Sequence, residues 1–177
     1  MISLARLTAL ALCLPLAVQA AGTETPPVKT QTSADCTAGQ VFDEKTQSCT
    51  DARESRLDDA TRIEAARELA AFDRPAEALV VLSAVTRQDT PEVLTLRGFA
   101  TRKAGDFEAG RKLYEAALAI DPDYILARSY LGQGLVEQGD RAAAEVQLAM
   151  IRTAGGRGTW AERSLAETLR TGRGYSH

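Results

Sequence analysis

The chain repeats itself with a period of 34 residues over much of its length. This offset links five pairs of small, turn-forming or apolar positions: Gly98 with Gly132, Gly105 with Gly139, Asp106 with Asp140, Gly110 with Ala144, and Ala117 with Ile151. An earlier copy matches at an offset of 32 residues and pairs Ala66 with Gly98, Ala78 with Gly110, and Val85 with Ala117. The two missing residues fall either in the turn between the paired helices or in the loop around residues 88–90. A period of this length predicts a stack of similar supersecondary units, three in number here.

Each copy carries the start and stop signals of two helices joined by a tight turn. In the second copy, Thr90 is a predicted N-cap and Pro91 opens the first helix. Gly105 supplies a left-handed residue at the end of that helix, and Asp106 caps the next one. The third copy repeats this order, and in the first copy Pro75 opens the second helix. We therefore predict an antiparallel helix pair in every copy.

Small residues recur where the two helices of each pair are expected to cross, because a large side chain there would wedge the backbones apart. The predicted packing positions are Ala66, Gly98 and Gly132 on the first helices, and Ala78, Gly110 and Ala144 on the second.

These copies resemble tetratricopeptide repeats, a family with small residues at its eighth and twentieth positions. The strongest copy, LRGFATRKAGDFEAGRKLYEAALAIDPD at residues 96–123, also has Tyr114 and Pro122 where the family has an aromatic residue and a proline. Arg62, Leu94 and Arg128 depart from the bulky aromatic residue that the family places early in the first helix. The predicted fold is all-α: an antiparallel helix-pair solenoid of about three repeats over residues 57–172, with a C-terminal capping helix and a preceding small disulfide hairpin.

The resemblance implies that the first helix of each repeat lines a concave groove that holds an extended peptide or a partner helix. The side chains it directs toward that groove are Arg67, Thr95, Phe99, Arg102, Ser129 and Gln133. The two arginines are suited to gripping a carboxylate, and the phenylalanine to packing a side chain. The alternative for the arginines is a solvated surface position or a pair with the nearby Glu64 and Glu68.

After the third copy, Thr159 and Glu162 form a capping-box pattern that starts a final helix. Trp160, Ala161, Leu165 and Leu169 share one face of it, which we expect to cover the end of the stack. Residues 173–177 are predicted to be a frayed tail.

The N-terminus reads as an export signal. Residues 1–20 combine Arg6 near the start, an apolar run and a small-residue cleavage pattern at Val18-Gln19-Ala20. The run is too short to cross a bilayer, so no stable membrane insertion is expected. Residues 21–35, rich in Pro, Thr and Ser, are predicted to be a disordered tether.

Two cysteines follow the tether. Cys36 and Cys49 flank a predicted hairpin whose length brings them within bonding distance, and in an exported chain they form a disulfide most simply. Residues 50–56 are then a linker. The segment 36–49 is also similar to a hairpin of peritrophin-type chitin-binding modules, through Cys36, Gly39, Phe42, Asp43, Thr46 and Cys49. That resemblance implies glycan binding, and the alternative is a disulfide-stapled spacer or docking knob.

The composition excludes several chemistries. The chain has one histidine, His177, so it lacks the interior imidazole that a Ser/His/Asp triad or a histidine metal cage requires. The formal charge of −3 argues against general nucleic-acid binding. Carboxylate pairs such as Asp58 with Asp59 fit helix-start chemistry. We expect no enzyme, no catalytic residues, no cofactor and no metal.

The sequence thus predicts an exported scaffold, in the bacterial periplasm, that binds a protein or peptide partner in its groove. Two alternatives remain open. One is a structural envelope protein that forms homodimers through an uncovered apolar end, and the other is an envelope-glycan binder that uses the Cys36–Cys49 hairpin.

Overall fold

The computed structural model describes residues 25–174. The predicted signal at residues 1–20, the start of the predicted tether and the last three residues of the predicted tail lie outside them. The described elements are, in chain order, α1 (Gln31–Asp35), β1 (Gln40–Asp43), β2 (Ser48–Asp51), α2 (Asp59–Ala71), α3 (Pro75–Leu82), α4 (Pro91–Lys103), α5 (Phe107–Ile120), α6 (Ile125–Glu137), α7 (Arg141–Thr153) and α8 (Trp160–Thr171).

Three antiparallel helix pairs, α2–α3, α4–α5 and α6–α7, stack in order, and α8 follows them. The predicted all-α solenoid of three repeats with a final helix is therefore confirmed. Helix starts are capped as expected: the side chain of Asp106 accepts a hydrogen bond from the Ala109 N–H at 2.9 Å, and Asp140 does the same for Ala143 at 3.0 Å. These caps satisfy backbone donors that the first turn of a helix leaves unpaired.

The turn inside each pair has three residues in all three copies. Gly105 and Gly139 occupy left-handed conformations there, with φ of 102° and 86°. Asp73 holds the same place in the first copy, with φ of 59°. Because these turns are equally long, the two residues missing from the first copy do not fall in the turn but after it, where α3 is six residues shorter than α5 and the loop that follows is four residues longer.

The backbones of α4 and α5 approach each other closely. A Cβ atom at Gly98 would stand 2.7 Å from Cε1 of Tyr114, and one at Gly110 would stand 2.8 Å from the carbonyl oxygen of Gly98. Gly132 makes its approach elsewhere, since a Cβ there would stand 2.6 Å from Cδ2 of Leu165 on α8. The remaining predicted packing residues, Ala66, Ala78 and Ala144, are buried.

The apolar core has two parts. One joins the hairpin to the first two repeats and reaches Tyr130 and Trp160. The other lies between the third repeat and α8, and consists of Val136, Ala144, Leu148, Ile151, Leu165 and Leu169. Helix α8, which we term the C-terminal cap, thus covers the last repeat with apolar side chains, as the sequence predicts.

At the other end, β1 and β2 form an antiparallel hairpin in which Val41 lies opposite Thr50. The predicted disulfide is present: the Cα atoms of Cys36 and Cys49 lie 5.5 Å apart. Gly39 has φ of 74°, and a Cβ atom there would meet Val80 of α3 at 2.7 Å, so the hairpin lies directly against the first repeat. We term residues 31–51, which hold α1 and the hairpin, the N-terminal cap.

The prediction of a disordered tether over residues 21–35 does not match its described part, because residues 31–35 form α1. Glu68 of α2 orders this segment. One carboxylate oxygen accepts hydrogen bonds from the backbone N–H groups of Thr30 at 2.6 Å and Ser33 at 3.0 Å, and from the Ser33 hydroxyl. The other accepts from the Thr30 hydroxyl at 2.7 Å. The composition of the segment indicates only that it buries little apolar surface. It gives no indication that Glu68, 38 residues after Thr30, supplies polar contacts that order the segment.

Two arginines fasten the rest of this region. Arg74 donates to the carbonyl oxygens of Ser33 at 3.0 Å and Cys36 at 2.7 Å, and pairs with Glu77 at 2.6 Å. Arg62 donates to the carbonyl oxygens of Ala52 at 2.7 Å and Glu54 at 2.8 Å. The predicted linker at residues 50–56 is therefore bound to α2 through Arg62, one of the residues that depart from the repeat pattern.

Among the helices of residues 25–174, none combines the length and the apolar character needed to cross a membrane.

Candidate partner-binding surfaces

The six predicted groove residues lie on α2, α4 and α6, the first helix of each pair, and we term this set the inner face. The structure places all of them in the interior, with exposed fractions between 0% and 6%. The six side chains therefore do not line an open groove, as the sequence predicted, but are buried against other parts of the same chain.

Aromatic rings fill the middle of the inner face. Phe99 stacks on Tyr130 with ring centroids 4.2 Å apart, and Tyr130 meets Trp160 of α8 edge to face at 6.1 Å. The guanidinium groups of Arg102 and Arg67 each lie 5.4 Å from a ring centroid, over Phe99 and Trp160 respectively. The contact of Arg67 with Trp160 joins the inner face to the C-terminal cap, whereas that of Arg102 with Phe99 lies within α4.

Helix α8 also takes up the small polar side chains. Ser129 donates to the carbonyl oxygen of Ala161 at 2.8 Å, and the Gln133 amide donates to the Ser164 hydroxyl at 3.1 Å. These two predicted groove residues thus bond α8, the next helix of the stack. The hydroxyl of Thr95 is buried without a hydrogen-bond partner among the described residues.

The two inner-face arginines have partners within the chain. Arg67 donates to the carbonyl oxygen of Thr25 and lies 3.6 Å from a Glu64 oxygen, the pairing that the sequence left open. Arg102 pairs with Glu137 at 2.6 Å, and Gly174 of the tail packs against the same carboxylate. Burial raises the pKa of the Tyr130 phenol, and the nearby positive charge of Arg67 opposes that shift.

A cavity of about 620 Å³ lies beside the inner face, at the N-terminal end of the stack. Its walls are the segment 25–32, the first strand and turn of the hairpin at residues 41–45, the loop at residues 56–58, and the side of α2 that faces the N-terminal cap. We term it the N-terminal cleft. Its volume is in the range of about 300–1,000 Å³ that is usual for ligand sites.

The cleft is lined by both apolar and charged groups. Pro26, Pro27, Val41, Phe42 and Leu57 supply apolar surface. The charged lining residues are five acids and three bases: Asp43, Glu44, Asp58, Glu64, Glu68, Lys45, Arg56 and Arg67. Acidic groups therefore predominate in the cleft.

The residues of the chitin-binding resemblance have internal roles in the hairpin. Asp43 accepts a hydrogen bond from the Lys45 N–H at 2.9 Å and pairs with Arg56 at 2.8 Å. The Lys45 N–H is the main cause that lowers the Asp43 pKa, with Arg56 acting in the same direction. Thr46 bonds Ser48 at 2.9 Å, and Gly39 meets Val80. These contacts account for the motif through folding and docking of the hairpin.

Sequence reasoning missed the cleft and the residues that build it. Glu68 and Arg74 carry no local signal, since each is one charged residue among many. Arg62 carried a usable signal because it occupies a position where the repeat pattern has an aromatic side chain. Within residues 25–174, no three His, Cys, Asp or Glu side chains are grouped to hold a metal ion.

Comparison with known proteins gives one family. Residues 102–157, which contain α5, α6 and α7, match a family model described as Tetratricopeptide repeat. Neither a curated protein nor a solved structure matches the chain significantly. The family match and the three stacked helix pairs together support a tetratricopeptide-repeat protein.

Proposed function

We propose that the protein is an exported scaffold that binds a partner protein in the bacterial cell envelope. The observation that carries this proposal is the stack of three helix pairs with its tetratricopeptide-repeat match, an architecture suited to protein–protein contacts. The signal pattern at residues 1–20 supports export. The Cys36–Cys49 disulfide supports an oxidising compartment such as the periplasm.

The proposed contact does not use the six inner-face side chains, because they are buried within the chain. The surfaces considered for it include the N-terminal cleft and the outer faces of α5 and α7.

Site-specific photo-crosslinking in living cells tests the proposal. A photoreactive amino acid replaces one exposed residue at a time: Glu44 at the cleft, Glu115 on α5 or Val146 on α7. We expect an adduct with a second protein from one surface, repeatably, with the other positions silent. Adducts only between copies of this chain would replace the proposal with self-association, and the absence of adducts at all three positions would reject it.

The location of the adduct gives a second readout. The same full-length chain, with charged residues introduced into the apolar run of residues 1–20 to block export, should form no adduct with the partner. An adduct of equal yield from the blocked chain would contradict a partner in the envelope.

A further inference from the structure

The outer face of α7 carries apolar side chains that the rest of the described chain leaves uncovered. Val146 is 55% exposed and Met150 is 42% exposed, and they are two of the large apolar side chains at the surface of the described residues. Ala142, Ala149 and Thr153 are exposed on the same face. The opposite side of the helix lies in the apolar core between the third repeat and α8. Helix α7 thus has a second apolar face that packs against nothing in its own chain.

The residues of this outer face follow the spacing of a coiled-coil seam. Ala142, Val146, Ala149 and Thr153 are separated by four, three and four residues, which keeps them on one line along the helix. If a second copy of α7 runs antiparallel beside the first, Val146 of each copy lies opposite Ala149 of the other. In the same register Ala142 lies opposite Thr153. Each contact occurs twice, because a two-fold axis relates the copies.

The residues that flank the seam fit the same register. On one side lie Glu145 and Arg152, seven residues apart, and the antiparallel arrangement places Glu145 of each copy next to Arg152 of the other. On the other side, Met150 of each copy meets Ala143 of the other. Charged residues beside a seam of this kind select the partner and its orientation. The outer face of α7 is therefore complementary to itself in charge as well as in shape.

Both charged groups are available for this contact. The carboxylate of Glu145 has no ion pair or hydrogen bond among the described residues. Arg152 donates from its Nε atom to Glu162 at 2.7 Å, and its two terminal nitrogens make no hydrogen bond to the described residues. The outer face of α5 differs, since both of its glutamates pair with Arg111 of the same helix. The α7 pair thus has the charges of an ion pair without a partner inside the chain.

Helix α7 needs no further folding to make the contact, because it is already packed on α6 and α8. Association then costs mainly the freedom of the two chains and of a few side chains. One helix against its copy buries less than about 1,200 Å², the low end of specific interfaces. We therefore expect a weak, reversible dimer with a Kd of about 10 to 100 μM, so that dilute solutions hold the monomer.

We infer that the protein forms a two-fold symmetric homodimer through the outer faces of two antiparallel α7 helices. Glu145 of each copy pairs with Arg152 of the other, and Val146 packs on Ala149. The interface is distinct from the end of the stack, which α8 covers. The inference goes beyond the proposed scaffold function, because a dimer presents every partner-binding surface twice.

Sedimentation equilibrium of the mature chain tests the inference. Between about 1 μM and about 1 mM protein, we expect the average mass to rise from that of one chain to that of two. Ala149→Glu should weaken the dimer at least about tenfold, because it places a charge in the apolar seam. Ala119→Glu, at an exposed alanine on α5, is the matched control and should leave the dimer unchanged. A monomer at every concentration, or an equal effect of Ala119→Glu, overturns the inference.

An exchange of the two charges tests the antiparallel register. Glu145→Arg alone brings like positive charges together across the interface, and Arg152→Glu alone brings like negative charges together. Each variant should weaken its own homodimer at least about threefold. An equimolar mixture of the two variants should associate as well as the unaltered protein, because opposite charges then meet at both pairs. A mixture that associates no better than either variant alone overturns the inference.

Circular dichroism of each variant checks that the fold is retained. The inference and the proposed function fail separately in the photo-crosslinking experiment, where Val146 should link two copies of the chain and another surface should give the adduct with the partner. A second protein linked at Val146, together with a monomer in solution, overturns the dimer and leaves the scaffold. A dimer in solution without any partner adduct supports the dimer and removes the scaffold.

Discussion

The two ends of the solenoid are closed by different means. The C-terminal cap covers the third repeat with apolar side chains, among them Trp160 and Leu165. The N-terminal cap is held by directed polar contacts, chiefly to Glu68 and Arg74, and by the Cys36–Cys49 disulfide. An end can therefore be closed either by one more helix in the pattern of the stack or by an unrelated element with partners of its own.

The two kinds of closure respond to different changes. Apolar burial is nondirectional and roughly proportional to area, so the C-terminal cap should lose stability according to the volume removed. A polar closure depends on geometry and charge, and removing one acceptor leaves several donors without a partner. The following predictions test this difference, beginning with the largest effect.

Trp160→Ala should produce the largest loss. The side chain is buried between Tyr130 and Arg67, and its removal should cost about 4 kcal/mol in the free energy of unfolding. Urea denaturation followed by circular dichroism measures the change. Val146→Ala on the exposed surface of α7 is the control and should change stability little; a loss below about 1 kcal/mol for Trp160→Ala would show that the C-terminal cap is held by other contacts.

The double variant Cys36→Ser/Cys49→Ser should act at the other end. Opening the loop should cost about 3 kcal/mol by releasing the unfolded chain. Hydrogen exchange should become faster in residues 36–51, while α6 and α7 keep their protection. Reduction of the unaltered protein should reproduce the pattern, and faster exchange spread evenly over all repeats would contradict an independent N-terminal closure.

Glu68→Gln should loosen α1 with a smaller effect. The amide keeps one oxygen as an acceptor but loses the negative charge and the second acceptor, at a cost of about 2 kcal/mol. Limited proteolysis near residues 25–35 should become faster. Glu167→Gln, an exposed glutamate paired with Arg170, is the matched control and should leave the cleavage rate unchanged.

Glu162→Gln at the C-terminal cap should have the smallest effect. The Gly158 N–H, with Arg152, lowers the pKa of Glu162, so its charged form stabilises the folded state. This contribution, about 1 kcal/mol or less, is present above the unfolded pKa near 4.5 and is lost as the pH falls through the lower folded pKa. Unfolding at pH about 7 and about 3 should show a larger difference from the unaltered protein at the higher pH, and a difference independent of pH would contradict the mechanism.

The repeat and the boundaries of its helices could be predicted from the sequence because the residues that mark them recur with the repeat period. Gly105 marks the end of one helix and Asp106 the start of the next. The same pair recurs at Gly139 and Asp140, which gives the period of 34 residues. The disulfide was predictable from the spacing of the two cysteines and from the predicted export signal. These features depend on residues close together in the chain.

The burial of the inner-face side chains could not be predicted from the sequence in the same way. The resemblance gave the helices on which Phe99 and Gln133 lie, but not that α8 and the aromatic rings would fill the space between them. The cleft was missed because it depends on Glu68 meeting Thr30 across 38 residues. A single carboxylate among 24 acidic residues gives no indication of such a partner.

The contact between Arg67 and Trp160 has a further consequence. Repeat arrays normally touch only neighbour to neighbour, which lets them melt from one end in stages. Here the first long helix, α2, meets the last one, α8, through this cation–π pair. Loss of α8 therefore also removes a contact from α2, so the three repeats should unfold in a single cooperative transition, whereas the N-terminal cap, which takes no part in this pair, can open by itself.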